Sequence, residues 1–330
     1  MATLNSLKLA LRQNSLEGAP TQRLRLSDRQ YSDGFSILAK RRESMMYKDF
    51  IIPQLCHLLP PLFHLRASIS ILEIGLGPES VLFYLPEYLR QRITKYTAFE
   101  PNKLFAKKLE ARLGSSTGTG SSMPGLDSLA IVHQVSFDPY SPHASDTGPG
   151  RHESNEKFDL ILFCHSLYGI NPKRRIIDKA LEILAEQPAS GMVVVFHREG
   201  SLRLDGLVSH KMASYPAGTV CVPDDNKSLD QFAAFVAGFT LPNDEAIRTD
   251  WRKTCRDLGH RDLSHPDQLV FSSPDMMVAF QKSATAWLEL VKDVPVLSKN
   301  LQVKNREARL HLPACIAQPK DLYQIQKCVL

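Results

Sequence analysis

The run Glu73-Ile74-Gly75-Leu76-Gly77 combines a carboxylate with two closely spaced glycines. A glycine turn after a buried strand lets a ligand approach the backbone closely, and a following helix offers unpaired N–H groups. Glu100 comes 23 residues after Gly77, at the end of the next predicted strand. A carboxylate at that place can accept hydrogen bonds from both hydroxyls of a ribose. We therefore predict a nucleoside-binding site; the alternative is a tight turn that uses glycine for steric reasons alone.

The third glycine of a dinucleotide-binding loop is absent, and Pro78 and Glu79 follow Gly77 directly. A carboxylate at the start of a helix repels a pyrophosphate, which binds best at a helix N-terminus. This substitution therefore argues against a dinucleotide and favours a cofactor without phosphate.

Chemically useful side chains also follow the later strands. Ser136 and Phe137 come after the third strand, and the fourth ends in Cys164-His165-Ser166-Leu167-Tyr168. An imidazole such as that of His165 can act as a general base near neutral pH; alternatively, His165 only hydrogen-bonds a backbone carbonyl. His197 follows the fifth strand and either lines an acceptor pocket or belongs to an ordinary charged strand end.

Predicted strands and helices alternate through the middle of the chain, which indicates an open, mostly parallel α/β sheet with helices on both faces. Continuous apolar runs without alternation indicate strands that are buried on both sides. The predicted strands are 68–74, 95–100, 129–135, 158–164 and 191–196, with helices at 78–90, 102–113 and 176–185. The later region predicts helices at 229–239, 244–258 and 274–291 and short strands at 219–222 and 268–271.

Four regions follow from this pattern. We expect a flexible arm over 1–28, a helical cap over 29–66, a nucleoside-binding core over 67–200, and a substrate-covering region with the end of the sheet over 201–330. Two stretches rich in small and polar residues, 114–125 and 139–157, are predicted to be flexible surface loops.

The composition argues against several classes of protein and site. The net charge of +5 is spread along the chain, which argues against nucleic-acid binding. The six cysteines form no CxxC pair and no zinc-like cluster, so neither a metal site nor a disulfide framework is expected. No apolar run reaches the length of a membrane span, and the polar N-terminus lacks a signal sequence. We expect a cytoplasmic protein without a membrane partner, either monomeric or homodimeric.

The motif Glu73-x-Gly75-x-Gly77 resembles motif I of class I methyltransferases, and Glu100 matches their ribose-binding carboxylate. Over residues 28–215 the chain also resembles histamine N-methyltransferase and its small-molecule relatives. That resemblance rests on the segments Tyr31-Ser-Asp-Gly-Phe35, Glu43 followed by Asp49-Phe50, Ile71-Leu-Glu-Ile-Gly75, Glu100-Pro101 and His165-Ser-Leu-Tyr168. It implies a Rossmann-like class I fold whose seventh strand is antiparallel.

The resemblance further implies S-adenosylmethionine as cofactor, whose sulfonium tolerates Glu79, and methyl transfer to nitrogen or oxygen of a small molecule. Glu43 falls where the family holds an amine substrate, or it is a surface ion-pair partner. His165 stands where the family has a glutamine, and a base role would suit an acceptor that must lose a proton. The cofactor-binding residues are then Glu73, Gly75, Gly77, Glu100, Ser136, Phe137, Cys164 and His165, and the substrate-binding residues Tyr31, Phe35, Glu43, Tyr47, Tyr168 and His197.

Two other functions stay open. One is a protein or RNA methyltransferase, although the tetrapeptide typical of amino-group modifiers is absent after the fourth strand. The other is a methyltransferase-like protein without transfer activity, which acts as a binding module or catalyses a cofactor-assisted rearrangement.

Overall fold

Seven strands form the central sheet of the computed structural model. The model describes residues 1–17, 24–39, 43–64, 66–114, 121–137, 156–170, 172–186, 191–198, 204, 207, 209–240, 243–262 and 264–282. The strands are β1 (Ile69–Ile74), β2 (Ile93–Phe99), β3 (Ile131–His133), β4 (Leu160–Cys164), β5 (Met192–Arg198), β6 (Lys211–Tyr215) and β10 (Asp275–Phe280). They lie side by side in the order β3-β2-β1-β4-β5-β10-β6.

Neighbouring strands from β3 to β5 are parallel, and β10 runs antiparallel to both β5 and β6. Both β4 and β10 are buried along their whole length, as expected for strands covered on both faces. The prediction of a mostly parallel seven-stranded sheet with an antiparallel seventh strand in sequence is therefore confirmed.

Helices cover the two faces and the cavity edge of this sheet. They are α1 (Leu4–Glu17), α2 (Asp28–Ala39), a π-helix over Glu43–Ile51, α3 (Ile52–His64), α4 (Glu87–Arg90), α5 (Lys103–Gly114), α6 (Lys173–Glu182), α7 (Asn226–Ala237) and α8 (Glu245–Leu258), with 3-10 turns at Val81–Tyr84 and Leu167–Gly169. Of the predicted cap, α3 packs against the sheet core, whereas α2 and the π-helix contribute side chains to a cavity.

An insertion between β6 and β10 builds a second core. It contains β7 (Thr219–Pro223), α7, α8, β8 (His260–Asp262) and β9 (His265–Ser272), and its three strands pair in the order β7-β9-β8. Helices α1 and α2 bury apolar side chains against it. Each inserted helix begins at an aspartate that accepts a hydrogen bond from a backbone N–H of the first turn, Asp225 for α7 and Asp244 for α8.

The structure corrects the expectation of a loose N-terminal arm, because residues 4–17 form α1. Leu4, Leu7 and Leu11 recur at helical spacing, and Leu7 and Leu11 are fully buried against the insertion. Burial against a distant part of the chain stabilises a helix whose local apolar pattern is weak.

Two further element predictions were wrong. Residues 78–90 form a 3-10 turn and the short α4, because Pro86 separates them and lacks the N–H that a continuous helix needs. The described part of the predicted helix over 274–291 forms β10 at Asp275–Phe280, since a short apolar run fits a buried strand as well as a helix. Residues from 283 onward lie outside the described residues. The predicted loops over 114–125 and 139–157 lie largely outside the described residues.

Candidate functional site

A cavity of about 370 Å³ opens at the carboxyl ends of β1, β2 and β4, where open α/β sheets bind their ligands. Backbone hydrogen bonds hold this edge together: the N–H of Gly75 donates to Phe99, and the N–H of His165 donates to Phe196. The predicted site residues that line the cavity are Tyr31, Phe35, Tyr47, Gly75, Gly77, Glu100, Ser136, Phe137, Cys164, His165 and Tyr168.

The glycine turn requires glycine at two places. Gly75 and Gly77 adopt φ angles of +63° and +81°, the left-handed region that other residues avoid. A Cβ atom on Gly75 would lie 2.6 Å from the Cβ of Ser166, whereas one on Gly77 would lie 3.4 Å from the ring of Phe35. The turn is therefore packed against the end of β4 on one side and against α2 on the other.

Glu100 places a carboxylate in the cavity wall. One of its oxygens accepts a hydrogen bond from the N–H of Gly77 at 2.8 Å, and the other accepts from the N–H of Asn102 at 2.9 Å. Burial raises the pKa of Glu100, the two hydrogen bonds lower it, and the nearby Asp28 raises it. Each oxygen has a second lone pair with which it can accept a donor from a ligand.

Glu73 was predicted to bind the cofactor, but its side chain is absent from the cavity lining. It is fully buried, and one of its oxygens accepts hydrogen bonds from Ser80 at 2.6 Å and from Tyr96 at 2.8 Å. Burial raises the pKa of Glu73 to about 7. The hydrogen bonds from Ser80 and Tyr96, which hold the segment after the glycine turn and β2, therefore explain the place of Glu73 in the motif.

Glu79 also differs from the prediction. Its carboxylate pairs with Arg112 and accepts a hydrogen bond from Tyr84 at 2.9 Å, and it does not line the cavity. Since no helix begins at Glu79 and its charge is paired, repulsion of a phosphate by this residue is not the reason for cofactor choice.

Aromatic rings from three elements meet above the glycine turn. Phe35 of α2 lies 5.2 Å from Phe105 of α5, and Tyr31 of α2 lies 5.0 Å from Phe235 of α7, measured between ring centroids. Burial, followed by the charge of Glu100, raises the pKa of Tyr31 to about 12, so this hydroxyl stays protonated. Tyr31 and Phe35, predicted to bind the acceptor, thus lie beside Gly77 and Glu100.

A second aromatic group lines the cavity beyond Glu100. Phe99 stacks on His133 with the centroids 4.5 Å apart and meets Phe137 edge-on at 5.3 Å. Phe99, Ser136 and Phe137 all line the cavity. Flat apolar rings beside a polar hydroxyl suit a heteroaromatic base.

His165 also lines the cavity, and its backbone is left-handed with φ at +58°. Its Nδ1 atom lies 3.3 Å from the hydroxyl of Tyr168 and 3.6 Å from a carboxylate oxygen of Asp275. Strained backbone at a cavity wall is typical of functional positions. Cys164, buried at the end of β4, and Tyr47 of the π-helix line the same cavity.

His197 does not line the cavity. Its ring stacks on Tyr168 with the centroids 4.6 Å apart, and burial lowers its pKa to about 4, with Lys173 and His165 as smaller causes. It therefore supports Tyr168 as a neutral ring. The side chain of Glu43 lies outside the described residues, so its predicted substrate contact stays a prediction.

Sequence reasoning missed several residues that the structure brings to the site. Asp28 and Asn102 lie beside Glu100, and the position of Asn102 directly after β2 could have indicated it. Arg198, by contrast, belongs to the segment after the fifth strand that was predicted either to line an acceptor pocket or to be an ordinary charged strand end, and it lines the cavity near Tyr168. Asp275 was hidden because β10 was predicted as a helix.

Comparison with known proteins gives matches among solved structures alone, since no family model and no curated protein matches the chain. The plantazolicin methyltransferase BpumL, solved with SAH, is 11% identical with a TM-score of 0.38, and the match covers 84% of this chain and 98% of BpumL. The N-methyltransferase NodS from Bradyrhizobium japonicum, solved with S-adenosyl-L-homocysteine, is 14% identical with a TM-score of 0.34. The match covers 76% of this chain and 97% of NodS. The [4+2]-cyclase SpnF is 13% identical with a TM-score of 0.37, and the match covers 69% of this chain and 80% of SpnF.

These identities and TM-scores are low, so the fold is argued from the order of the strands and the antiparallel direction of β10. The chain has the class I methyltransferase fold. Within the described parts of the chain, no three His, Cys, Asp or Glu side chains lie together in a way that could hold a metal ion. None of the described helices is both long and apolar enough to cross a membrane.

Proposed function

We propose that the cavity binds S-adenosylmethionine and that the protein transfers its methyl group to a small molecule. The observation that carries this proposal is the buried carboxylate of Glu100 in the cavity wall, tied to the N–H of Gly77 at 2.8 Å. The two ribose hydroxyls can donate to its free lone pairs. When bound, S-adenosylmethionine supplies an electrophilic methyl group on a sulfonium.

The charges around the cavity favour a cofactor without phosphate. Asp28 and Glu100 are carboxylates, and Arg198 is the only lysine or arginine among the described lining residues. The N–H of Gly77, which could otherwise donate to a phosphate oxygen, already donates to the carboxylate of Glu100. A cation such as the sulfonium with its α-ammonium group suits this wall better.

Different aromatic residues would contact different parts of the proposed ligand. Phe99 and Phe137 would hold the adenine beside Ser136, and Phe35 would cover the glycine turn. His165 and Tyr168, which follow β4, would line the part of the cavity where the acceptor binds. Catalysis would come mainly from holding donor and acceptor in line.

The alternative of a fold without transfer activity rested on the altered third glycine. Glu79, which follows the glycine turn, does not line the cavity, so it gives this alternative no direct contact with a ligand. A cavity of about 370 Å³ is within the range of small-molecule sites, which suits the proposed cofactor.

Calorimetric titration with S-adenosylmethionine tests the proposal. We expect binding by the parent protein and an affinity at least about tenfold lower in Glu100→Gln, because an amide has one acceptor oxygen where the carboxylate has two. Glu79→Gln is the matched control, since it makes the same change outside the cavity, and it should bind like the parent. Absence of binding by the parent, or equal binding by Glu100→Gln, would contradict the proposal.

A further inference from the structure

A buried carboxylate lies behind His165. Asp275 is at the first position of β10, its side chain has no exposed surface, and its Oδ1 atom lies 3.6 Å from Nδ1 of His165. A carboxylate is rarely buried this deeply unless it faces a cation or strong donors. Its position next to a cavity-lining imidazole gives it such a partner whenever His165 carries a proton.

The geometry assigns different tasks to the two ring nitrogens. Nδ1 faces Asp275 and the Tyr168 hydroxyl. We assign to Nε2, the other ring nitrogen, the role of taking a proton from an acceptor. A carboxylate at Nδ1 favours that tautomer and stabilises the imidazolium that forms. Among the described residues, further titratable or charged groups near the pair are Tyr168 of the 3-10 turn and His197 and Arg198 of β5. Lys173 of α6 acts on His197.

Arg198 adds a fixed positive charge to the same end of the cavity. Its guanidinium lies 6.0 Å from the ring centroid of Tyr168, and its Nε atom is buried without a hydrogen-bond partner among the described residues. Because Arg198 lines the cavity, its guanidinium can donate to a ligand oxygen. A protonated amine would be repelled here, whereas an oxyanion would be stabilised.

We propose that Asp275 is a positioning residue that orients His165 as general base, and that the methyl acceptor is a weakly acidic hydroxyl, such as that of a phenol. This inference rests on the proposed methyl transfer. It departs from the amine substrate that the family resemblance implies. The hydroxyl would lie between His165 and Arg198.

The reaction balances with these groups and the donor. The O–H bond of the acceptor breaks, and its proton moves to Nε2 of His165. An electron pair of the oxygen forms the new bond to the methyl carbon, while the pair of the broken C–S bond stays on sulfur. Asp275 stabilises the imidazolium and Arg198 the developing oxyanion, and His165 then releases the proton to water.

The first experiment follows the imidazole signals of His165 by NMR as the pH is changed, in protein without cofactor. In Asp275→Asn the titration midpoint should move to lower pH by about one unit, because the imidazolium loses its carboxylate. Asp257→Asn, which changes an exposed aspartate of α8, should leave the midpoint in place. An unchanged midpoint in a folded Asp275→Asn protein overturns the positioning role.

The second experiment measures transfer from labelled S-adenosylmethionine. Asp275→Asn should lower kcat at least about tenfold at neutral pH, with the donor affinity unchanged. In a His165→Asn background, the same change should add less than about twofold, because Asp275 acts through the imidazole. Asparagine tolerates the left-handed backbone at this position. A full additional loss in that background would assign Asp275 a merely structural role.

The acceptor class is tested with a panel of phenols and the amines of the same carbon skeletons. Labelled methyl should appear on the phenols, and Arg198→Gln should raise the KM for them more than Arg198→Lys does. Label on the amines alone, or on neither series, overturns the hydroxyl assignment. Donor binding in the calorimeter is measured separately, so failure of this inference is distinguishable from failure of the proposed function.

Discussion

The carboxylate of Glu73 accepts a 2.6 Å hydrogen bond from the hydroxyl of Ser80, beneath the glycine turn that lies between them in sequence. The same hydroxyl accepts the N–H of Leu82 at 3.1 Å and so begins the 3-10 turn. Tyr96 of β2 donates to Glu73 as well. Glu73 thus joins β1, β2 and the segment after the turn, which fixes the backbone on which Gly75 and Gly77 lie.

This contact makes stability depend on pH. Burial raises the pKa of Glu73 from 4.5 to about 7, against the lowering effect of Ser80 and Tyr96. The folded protein therefore retains a proton that the unfolded chain loses, so the free energy of unfolding falls as pH rises through this window. The difference amounts to about 3 kcal/mol, at about 1.4 kcal/mol for each unit of pKa. Glu73→Gln should remove this part of the pH dependence.

Urea denaturation at pH 5 and pH 8 checks this prediction. The loss of stability between the two values should be smaller in Glu73→Gln than in the parent by about 3 kcal/mol. Glu79→Gln serves as control, because it changes a partly exposed carboxylate that pairs with Arg112. If all three proteins lose the same stability between the two pH values, the buried carboxyl does not bind the extra proton.

Replacing Gly75 should cost more stability than replacing Gly77. Both residues have positive φ, so alanine at either position is strained by about 1–2 kcal/mol. At Gly75 the new Cβ would also lie 2.6 Å from the Cβ of Ser166, and such overpacking adds about 1–3 kcal/mol. Thermal unfolding of Gly75→Ala and Gly77→Ala measures the difference directly.

A second substitution identifies the cause of that difference. Ser166→Gly removes the Cβ atom that the alanine would meet, so it should recover the overpacking part in a Gly75→Ala protein. No recovery would mean that backbone strain alone explains the loss. The contact lies beside the proposed acceptor site, since Ser166 directly follows His165 in the cavity wall.

The sequence predicted the carboxyl edge of the sheet well, because strong local signals determine it. Buried apolar runs end at Ile74 and Cys164, and parallel strands bring the residues after their carboxyl ends to one edge. Gly75, Glu100 and His165 could therefore be brought together without a structure. Their hydrogen-bond partners could not, since these depend on how loops fold over the edge.

The face of β1 on which the Glu73 side chain lies shows what a sequence motif cannot predict. Side chains alternate along β1, so Ile71 and Glu73 face one core while Leu72 and Ile74 face the other. The motif gives the spacing of Glu73 from the glycines. It does not show that the Glu73 carboxylate accepts hydrogen bonds from Ser80 and Tyr96. Asp275 was missed for another reason: the short apolar run that forms β10 was predicted as a helix.

The N-terminal helix gives the last prediction. Leu7 is fully buried against α7 and α8, whereas Leu9 of the same helix is 62% exposed. Leu7→Ala should lower the free energy of unfolding by about 2–5 kcal/mol, because it removes buried methyl groups and leaves a cavity. Leu9→Ala should change it by less than about 0.5 kcal/mol. Equal values for the two variants in urea denaturation would show that α1 is not packed on the insertion.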